Sequence, residues 1–305
     1  MRPLPPEQIH LPFQPGPYRM SMDLTTVPEA AWFEIDALYP TEMAERCRLL
    51  DQAHGDVFGA VPGSEAARAE TLGLVAEALA AHHPDWFRRN GDTLRNHLTG
   101  ETWSLTAPPL DPLELAGRLV QEDLCLIQDS PDGPLFTAAV LCFPSRWRLA
   151  DKLGKPLAAV HGPVPLYADR LSRPVDRFMQ HLKPDRIACR LNWSIVDDPA
   201  LFQPTGKWRT DGGAGITPQN AGERLYLRVE RQTLRRLPAS GAVLFGIRVH
   251  VYPLVRVINA RLAPMLAAAV AALPPEIVHY KSVGPVREAL LGWLATVSGE
   301  ATAAQ

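Results

Sequence analysis

The sequence predicts an α+β fold in which a small antiparallel sheet carries helices on one face. Apolar residues recur with a helical period before about residue 120 and after about residue 255, and with a period of two between them. The strand-like segments are short and separated by Gly, Pro and Asp, which favours antiparallel pairing. We therefore expect an N-terminal arm and helical region over residues 1–119, a core over 120–255 and C-terminal helices over 256–305.

The N-terminal part begins with an arm. Residues 1–40 are rich in proline and aromatic side chains, and we expect them to pack on the protein because disordered arms lack aromatics. A helix is predicted over Pro40–Gln52, and a second follows with Ser64 as its cap. A third begins at Asp111, which is followed by proline and then by a glutamate at the third helical position, and runs to about Gln121.

The core contains two strands, a helical or irregular stretch and three further strands. The first two strands form a hairpin around the turn Asp129–Gly133. This order is that of a PAS core. After the core, a helix is predicted over Val255–Leu273 with an interruption near Pro264, and a last helix follows it. The five predicted strands are Asp123–Gln128, Phe136–Phe143, Ile187–Val196, Arg224–Leu234 and Ala242–Val251.

Composition excludes several classes of protein. The net charge of −2 argues against a nucleic-acid-binding protein, which would carry a basic face. The N-terminus lacks the apolar region of a secretory signal, and no apolar run is long enough for a membrane span, so we expect a soluble, cytoplasmic protein. The four cysteines form no C-x-x-C pair, which argues against a zinc or iron–sulfur site and for buried free thiols.

Two strands carry polar residues on one face. In the third strand Arg190 alternates with apolar neighbours, and in the fourth Glu230 does the same. Polar strand faces usually meet water and carry surface ion pairs, which is one interpretation. The other is that the terminal helices cover the apolar face, so that the polar face lines a pocket. Arg190 could then bind a polar oxygen ligand and Glu230 a cationic substrate. In the fifth strand, Arg248 and His250 alternate with valines.

One histidine precedes a stiff turn. His161 follows an apolar run and is followed by Gly-Pro-Val-Pro, whose prolines restrict the backbone. A histidine held in this way suits a ligand to a metal or a heme, which must be presented at one angle. His181 is the rival candidate, although its position at the end of a predicted helix suits an electrostatic cap.

Taken together, these motifs resemble the heme-dependent oxidative N-demethylases, and the resemblance runs nearly from end to end. HGPVP and RVERQTL together are its most specific parts. The chain departs from the expected pattern at Met22-Asp23-Leu24, where the family has MGL, and the glycine-rich loop Gln203–Gly222 matches no part of it. The motifs that carry the resemblance are PFQPGPYRM (12–20), WFEIDALY (32–39), FPSRW (143–147), KLGKPLAAVHGPVP (152–165), RLNW (190–193) and LRVERQTLRRLP (227–238).

The resemblance implies a PAS-like domain that binds heme b and oxidatively demethylates a small secondary amine such as dimethylamine, giving a primary amine and formaldehyde. O2 would be the oxidant, and electrons would come from NADPH through flavin and iron–sulfur partner subunits. His161 would be the proximal iron ligand, with Pro163 and Trp193 also contributing to the heme site. Arg190 would donate a hydrogen bond to oxygen on the distal side, and Glu230 would hold the substrate ammonium.

Two other functions remain open from the sequence. The first is a heme-PAS sensor or ligand-binding protein without turnover, although no output module is recognisable. The second is a scaffold subunit that has lost its cofactor, against which the presence of His161, Arg190 and Glu230 argues by resemblance.

Overall fold

The computed structural model describes residues 2–208 and 212–299, and within them the chain is α+β, as the sequence predicts. The strands of these ranges are β1 Thr25–Val27, β2 Phe58–Ala60, β3 Phe87–Asn90, β4 Thr93–Asn96, β5 Thr102–Ser104, β6 Asp123–Gln128, β7 Leu135–Val140, β8 Ile187–Val196, β9 Tyr226–Arg236 and β10 Val243–Pro253. The α-helices are α1 Tyr39–Gln52, α2 His54–Val57, α3 Glu65–His82, α4 Pro112–Gly117, α5 Leu157–Val160, α6 Tyr167–Arg170, α7 Ser172–His181, α8 Ala221–Arg224, α9 Leu254–Val257, α10 Ala263–Ala271, α11 Pro275–Tyr280 and α12 Gly284–Ser298.

Seven strands form one antiparallel sheet in the order β1-β8-β9-β10-β6-β7-β2. The five predicted strands are its centre, and the predicted hairpin is β6–β7. The pairing of β10 with β6, in which Ile247 lies opposite Asp123, joins this hairpin to the three later strands. The strands β1 and β2 were not predicted, because three residues are too few to reveal a period of two. The strands β3, β4 and β5 form a separate sheet.

Helices cover both faces of the large sheet, whereas one covered face was predicted. On one face, Leu227 of β9 is buried together with residues of α10 and α12 and with Phe13 of the N-terminal arm. On the other face, Leu234 of β9 packs in a cluster with Leu157 of α5 and Met179 of α7. The stretch between β7 and β8 is therefore a layer of its own, and it lies on the face that carries the polar residues of β8 and β9.

The helices begin and end for identifiable reasons. Asp111 caps α4 as predicted, because its Oδ1 accepts a hydrogen bond from the amide of Leu113 at 2.9 Å, but α4 is shorter than expected. Ser64 precedes α3 without capping it, since its hydroxyl donates to a backbone carbonyl instead. The C-terminal break falls before Pro264, where Asn259 accepts hydrogen bonds from two following amides. Within the described residues, none of the helices combines the length and apolarity that crossing a bilayer requires.

Buried ion pairs fix the segment around α1 to the sheet. Arg248 of β10 is fully buried, and its guanidinium contacts Asp36 at 3.0 Å and Glu42 at 2.7 Å. Arg46 of α1 is also fully buried and pairs with Asp123 of β6 at 3.0 Å. A charge left alone in such surroundings is strongly unfavourable, so each pair depends on both partners being in place.

Replacing Arg248 by methionine is expected to lower the free energy of unfolding by about 3–5 kcal/mol, because Asp36 and Glu42 would stay buried without their cation. Urea denaturation measures this change. The matched control is Arg148→Met, which removes an exposed pair with Asp151 and is expected to leave the urea midpoint unchanged. Equal losses in the two variants would contradict the importance of the buried pair.

Candidate functional site

A cavity of about 1220 Å³ lies between the sheet and the stretch that joins β7 to β8. The strands β8 and β9 contribute polar side chains to its wall, the joining stretch contributes residues from before α5 to α7, and part of the N-terminal arm also lines it. Typical small-molecule sites enclose about 300–1,000 Å³. The cavity therefore has room for a large cofactor together with a small substrate.

His161 lies at the end of α5 and lines this cavity. Its Nδ1 lies 2.9 Å from the carbonyl oxygen of Leu157, and its ring stacks on Tyr167 with 4.4 Å between the ring centroids. A carbonyl oxygen only accepts hydrogen bonds, so Nδ1 carries the proton and the neutral ring keeps a lone pair on Nε2. Burial, together with the positive charges of Lys152 and Arg190, lowers the pKa of His161 to about 4. The imidazole is therefore neutral at pH 7, which is the form that binds a metal.

The geometry separates the two histidines that the sequence left as candidates. His181 is exposed at the end of α7, where its Nδ1 donates to the carbonyl of Arg177 at 2.8 Å, and it lies outside the described lining of the cavity. Pro163, in the turn after His161, is also exposed and outside that lining. Of the two histidines, His161 thus has the position that a cofactor ligand needs, and Pro163 is suited to shaping the turn.

Arg190 of β8 lies beside the cavity with no hydrogen bond or ion pair among the described residues, and its Nε is buried without a partner. Burial lowers the pKa of Arg190, and the charge of Glu230 partly offsets this effect. Buried donors without partners are uncommon in folded proteins because they are costly. Arg190 is accordingly a donor available to a polar ligand in the cavity.

Glu230 of β9 lies opposite Asn192 of β8 and lines the same cavity. Its Oε2 accepts hydrogen bonds from Gln232 at 2.7 Å and from Asn192 at 3.3 Å. Burial would raise the pKa of Glu230, but a hydrogen bond from Ser145, the charge of Arg228 and the two amide donors outweigh it and lower the pKa. The cavity therefore contains an ionised carboxylate on the same sheet face as Arg190.

Three lysines of the cavity wall were missed by sequence reasoning. Lys152, Lys207 and Lys281 all line the cavity, and they are three of the five lysines in the chain. Burial lowers the pKa of Lys152 and of Lys281 to about 8 in each case. The one available signal was this scarcity of lysine in an arginine-rich chain. Each of these lysines interacts with the charge of Glu230, and cations outnumber carboxylates in the cavity lining, which gives the wall a surplus of positive charge.

Trp193 is also part of the cavity lining, although its side chain leaves β8 on the opposite side from Arg190. It alternates with Arg190 and Asn192 along β8, so its ring points to the opposite face, where it meets Phe13 edge-on at 6.3 Å between centroids. Lys281 donates hydrogen bonds to the carbonyl oxygen of Trp193 and to Oδ1 of Asn192. Trp193 therefore anchors a cation of the cavity wall through its backbone.

The charged residues of β10 belong to the other face of the sheet. Arg248 and His250 alternate with the valines as predicted, but the register pairs Val249 with Glu230 and His250 with the buried Val229. Val249 thus shares the cavity face with Glu230, while Arg248 and His250 lie on the face covered by the terminal segments. The alternation correctly predicts which residues of β10 share a face of the strand. Only the pairing with β9 shows which face of the sheet each group of residues occupies.

We expect NMR titration of the histidine rings, in the chain without added cofactor, to give His161 a midpoint near pH 4. The ordinary value is 6.5, and burial disfavours the charged ring. Since the unfolded chain takes up this proton near pH 6.5 and the folded chain only near pH 4, the group reduces stability as the pH falls through that window. His161→Gln assigns the resonance, and a midpoint near 6.5 would contradict the buried neutral ring.

A family model described as haem-dependent oxidative N-demethylase, alpha subunit-like, matches residues 23–291. The matched range contains the seven-stranded sheet, His161 and the polar residues of β8 and β9. Because the match covers well over half of the sequence, the chain belongs to the haem-dependent oxidative N-demethylase alpha subunit-like family.

Proposed function

We propose that this chain is the heme-binding subunit of an oxidative N-demethylase, with heme b held in the cavity through His161. The observation that carries the proposal is the Nδ1 hydrogen bond of His161 to Leu157, which leaves Nε2 of a neutral imidazole available as a ligand. Heme proteins commonly hold iron through one such histidine and tune it through the hydrogen bond on the other ring nitrogen. The family description, which names haem dependence, supports the same cofactor.

The charges of the cavity wall fit heme b. Its two propionates bring two negative charges, and the wall offers Lys152, Lys207, Lys281 and Arg190 in the neighbourhood of Glu230. Burying cations next to anions offsets the cost of removing each from water. Size agrees as well, since the cavity exceeds the volume of an ordinary small-molecule site.

The architecture supports a PAS-like core at the position predicted from the sequence. The central strands lie in the order β8-β9-β10-β6-β7, and the helical stretch between the second and third of them in sequence contains His161. We assign residues 120–255 to this core, with the N-terminal region and the C-terminal helices packed around it. In this arrangement the sheet supplies the polar groups and the inserted stretch supplies the ligand.

The substrate we infer is a small secondary amine such as dimethylamine, which is cationic at neutral pH. Glu230 is ionised and would accept hydrogen bonds from the ammonium, while Asn192 and Gln232 hold its carboxylate in place. Arg190 would donate to O2 in the cavity, because it has free donors on the same sheet face as Glu230. When bound, heme supplies the redox chemistry that activates O2.

The overall reaction sets what the partners must provide. One oxygen atom of O2 oxidises the methyl carbon to formaldehyde, the carbon–nitrogen bond breaks, and the primary amine leaves. The other oxygen atom becomes water, which takes two electrons and two protons. We propose that the electrons come from NADPH through flavin and iron–sulfur subunits. The words "alpha subunit-like" in the family description support an assembly with other subunits.

Heme titration followed by absorption tests the ligand. The wild-type chain is expected to bind one heme with a Soret shift, and His161→Ala is expected to weaken binding beyond the roughly 10–100-fold that loss of an outer-shell partner costs. His181→Ala is the matched control and should bind as the wild type does, because His181 is exposed and lies away from the cavity. Retention of the same spectrum in His161→Ala, or equal loss in both variants, would contradict the assignment.

Amine binding to the heme-loaded chain tests Glu230. Dimethylamine is expected to shift the spectrum of the wild type, and Glu230→Gln to weaken this binding about 10- to 150-fold, since a hydrogen bond to a charged group contributes about 1.5–3 kcal/mol. Glu223→Gln, an exposed carboxylate in α8, is the matched control and should have no effect. Formaldehyde release with a reductase supports the enzyme. Heme binding without an amine response or turnover would contradict it and favour a heme-PAS sensor.

A further inference from the structure

Three side chains from distant parts of the chain meet on the face of the sheet away from Glu230. His10 comes from the N-terminal arm, Glu34 from the segment before α1, and His250 from β10. The rings of His10 and His250 lie 4.9 Å apart between centroids. From these residues we propose a binding site for a divalent transition-metal ion, with Zn²⁺ as the probe, formed by His10, Glu34 and His250.

The distances suit such an ion. Nε2 of His10 lies 3.1 Å from Oε1 of Glu34, and Nε2 of His250 lies 2.9 Å from Oε2 of the same carboxylate. One ligand atom from each residue lies within 4.8 Å of the other two. In a tetrahedral zinc site with bonds of about 2.0–2.1 Å, neighbouring ligand atoms are about 3.3–3.4 Å apart. Small rotations of the two rings would therefore place all three ligands around one ion.

An independent observation comes from the groups behind His250. Its Nδ1 and Oε1 of Glu7 are both buried without a hydrogen-bond partner, and they lie 3.7 Å apart. A closer approach would let Nδ1 donate to Glu7, which leaves the lone pair on Nε2 for the ion. Carboxylate–histidine–metal arrangements of this kind orient the ligand in many metal sites. An ion on Nε2 that moved His250 slightly towards Glu7 would satisfy both of these groups.

The local charges also favour a cation. The acidic groups of the surrounding network outnumber its guanidinium groups, although Arg231 pairs directly with Glu34 at 3.1 Å and burial raises the pKa of Glu122 to about 7. A divalent ion would offset this surplus of acidic groups, as would protons taken up within the cluster, and zinc titration distinguishes the two. The acidic groups are Glu7, Glu34, Asp36, Glu42 and Glu122, and the guanidinium groups are Arg231, Arg248 and Arg256.

The ligand set indicates the class of ion and its role. Two imidazoles and one carboxylate suit zinc or iron(II) rather than magnesium or calcium, which prefer oxygen ligands alone. An ion bound here would tie the N-terminal arm to β10, because His10 lies in the arm. The same arm continues to Tyr18, which lines the large cavity, and His10 and Glu34 themselves border that cavity. The site would thus hold a wall of the cavity in place without taking part in the chemistry.

Isothermal titration of the full chain with Zn²⁺ tests this site. One ion per chain is expected to bind to the wild type, and His10→Gln and Glu34→Gln are each expected to weaken that binding at least tenfold. The matched control is His54→Gln, because His54 contacts Glu114 at 2.9 Å in a similar pair that lacks a second histidine. His161→Ala should also retain zinc binding, which separates this site from the proposed heme site.

Circular dichroism establishes that the variants are folded. If Glu34→Gln does not fold, the zinc affinity of His10→Gln tests the site by itself, because His10 lies in the N-terminal arm. Cobalt(II) in place of zinc should give the absorption of a four-coordinate ion with nitrogen and oxygen ligands, and His10→Gln should abolish it. The proposal is overturned if the wild type binds no zinc, if His10→Gln binds as the wild type does, or if binding depends on His161 instead. If the wild type binds no zinc, the cluster serves only to join the N-terminal arm to the sheet through hydrogen bonds.

Discussion

The antiparallel register of β8 and β9 is the constraint on which the candidate site depends. It places Arg190 opposite Gln232 and Asn192 opposite Glu230, so that the polar residues of two strands converge on one face. Side chains alternate between faces, and a slip of one residue would bury these charges among the apolar residues around Leu227 and expose their apolar neighbours to the cavity. Because apolar residues cover the other face, such a slip would be strongly disfavoured.

Burial of charge gives the cavity its chemical character. His161 is neutral because its surroundings are both dry and positively charged, and Glu230 is ionised because amide donors and nearby cations offset the cost of burial. Among these cations, Arg190 has an Nε that is buried without a hydrogen-bond partner. Burying these charged groups costs free energy because they lose contact with water. An anionic cofactor bound beside them, together with a polar ligand, would offset part of that cost.

Much of the core followed from the sequence, because its strands are long enough to display a period of two. The five central strands, the β6–β7 hairpin and the common face of Arg190 and Glu230 were predictable for this reason. The short strands β1 and β2 were not, since they exist only through pairing with the sheet edges. The face taken by Arg248 was also hidden, because alternation sorts residues into two sets without saying which set meets the core.

Clusters formed by residues from distant segments could not be predicted from the sequence. His10 and His250 are 240 positions apart, and no local pattern joins them to each other or to Glu34. The same limit applies to the lysines of the cavity wall, which come from the stretch before α5, the stretch after β8 and the end of α11. Part of the glycine-rich loop Gln203–Gly222, residues 209–211, lies outside the described residues.

The most direct measurement of the central claim is a crystal structure of the chain loaded with heme. The account predicts a bond between iron and Nε2 of His161, with Arg190 and Glu230 on the opposite side of the porphyrin. Iron bound by a different residue, or a porphyrin lying outside the cavity, would contradict it.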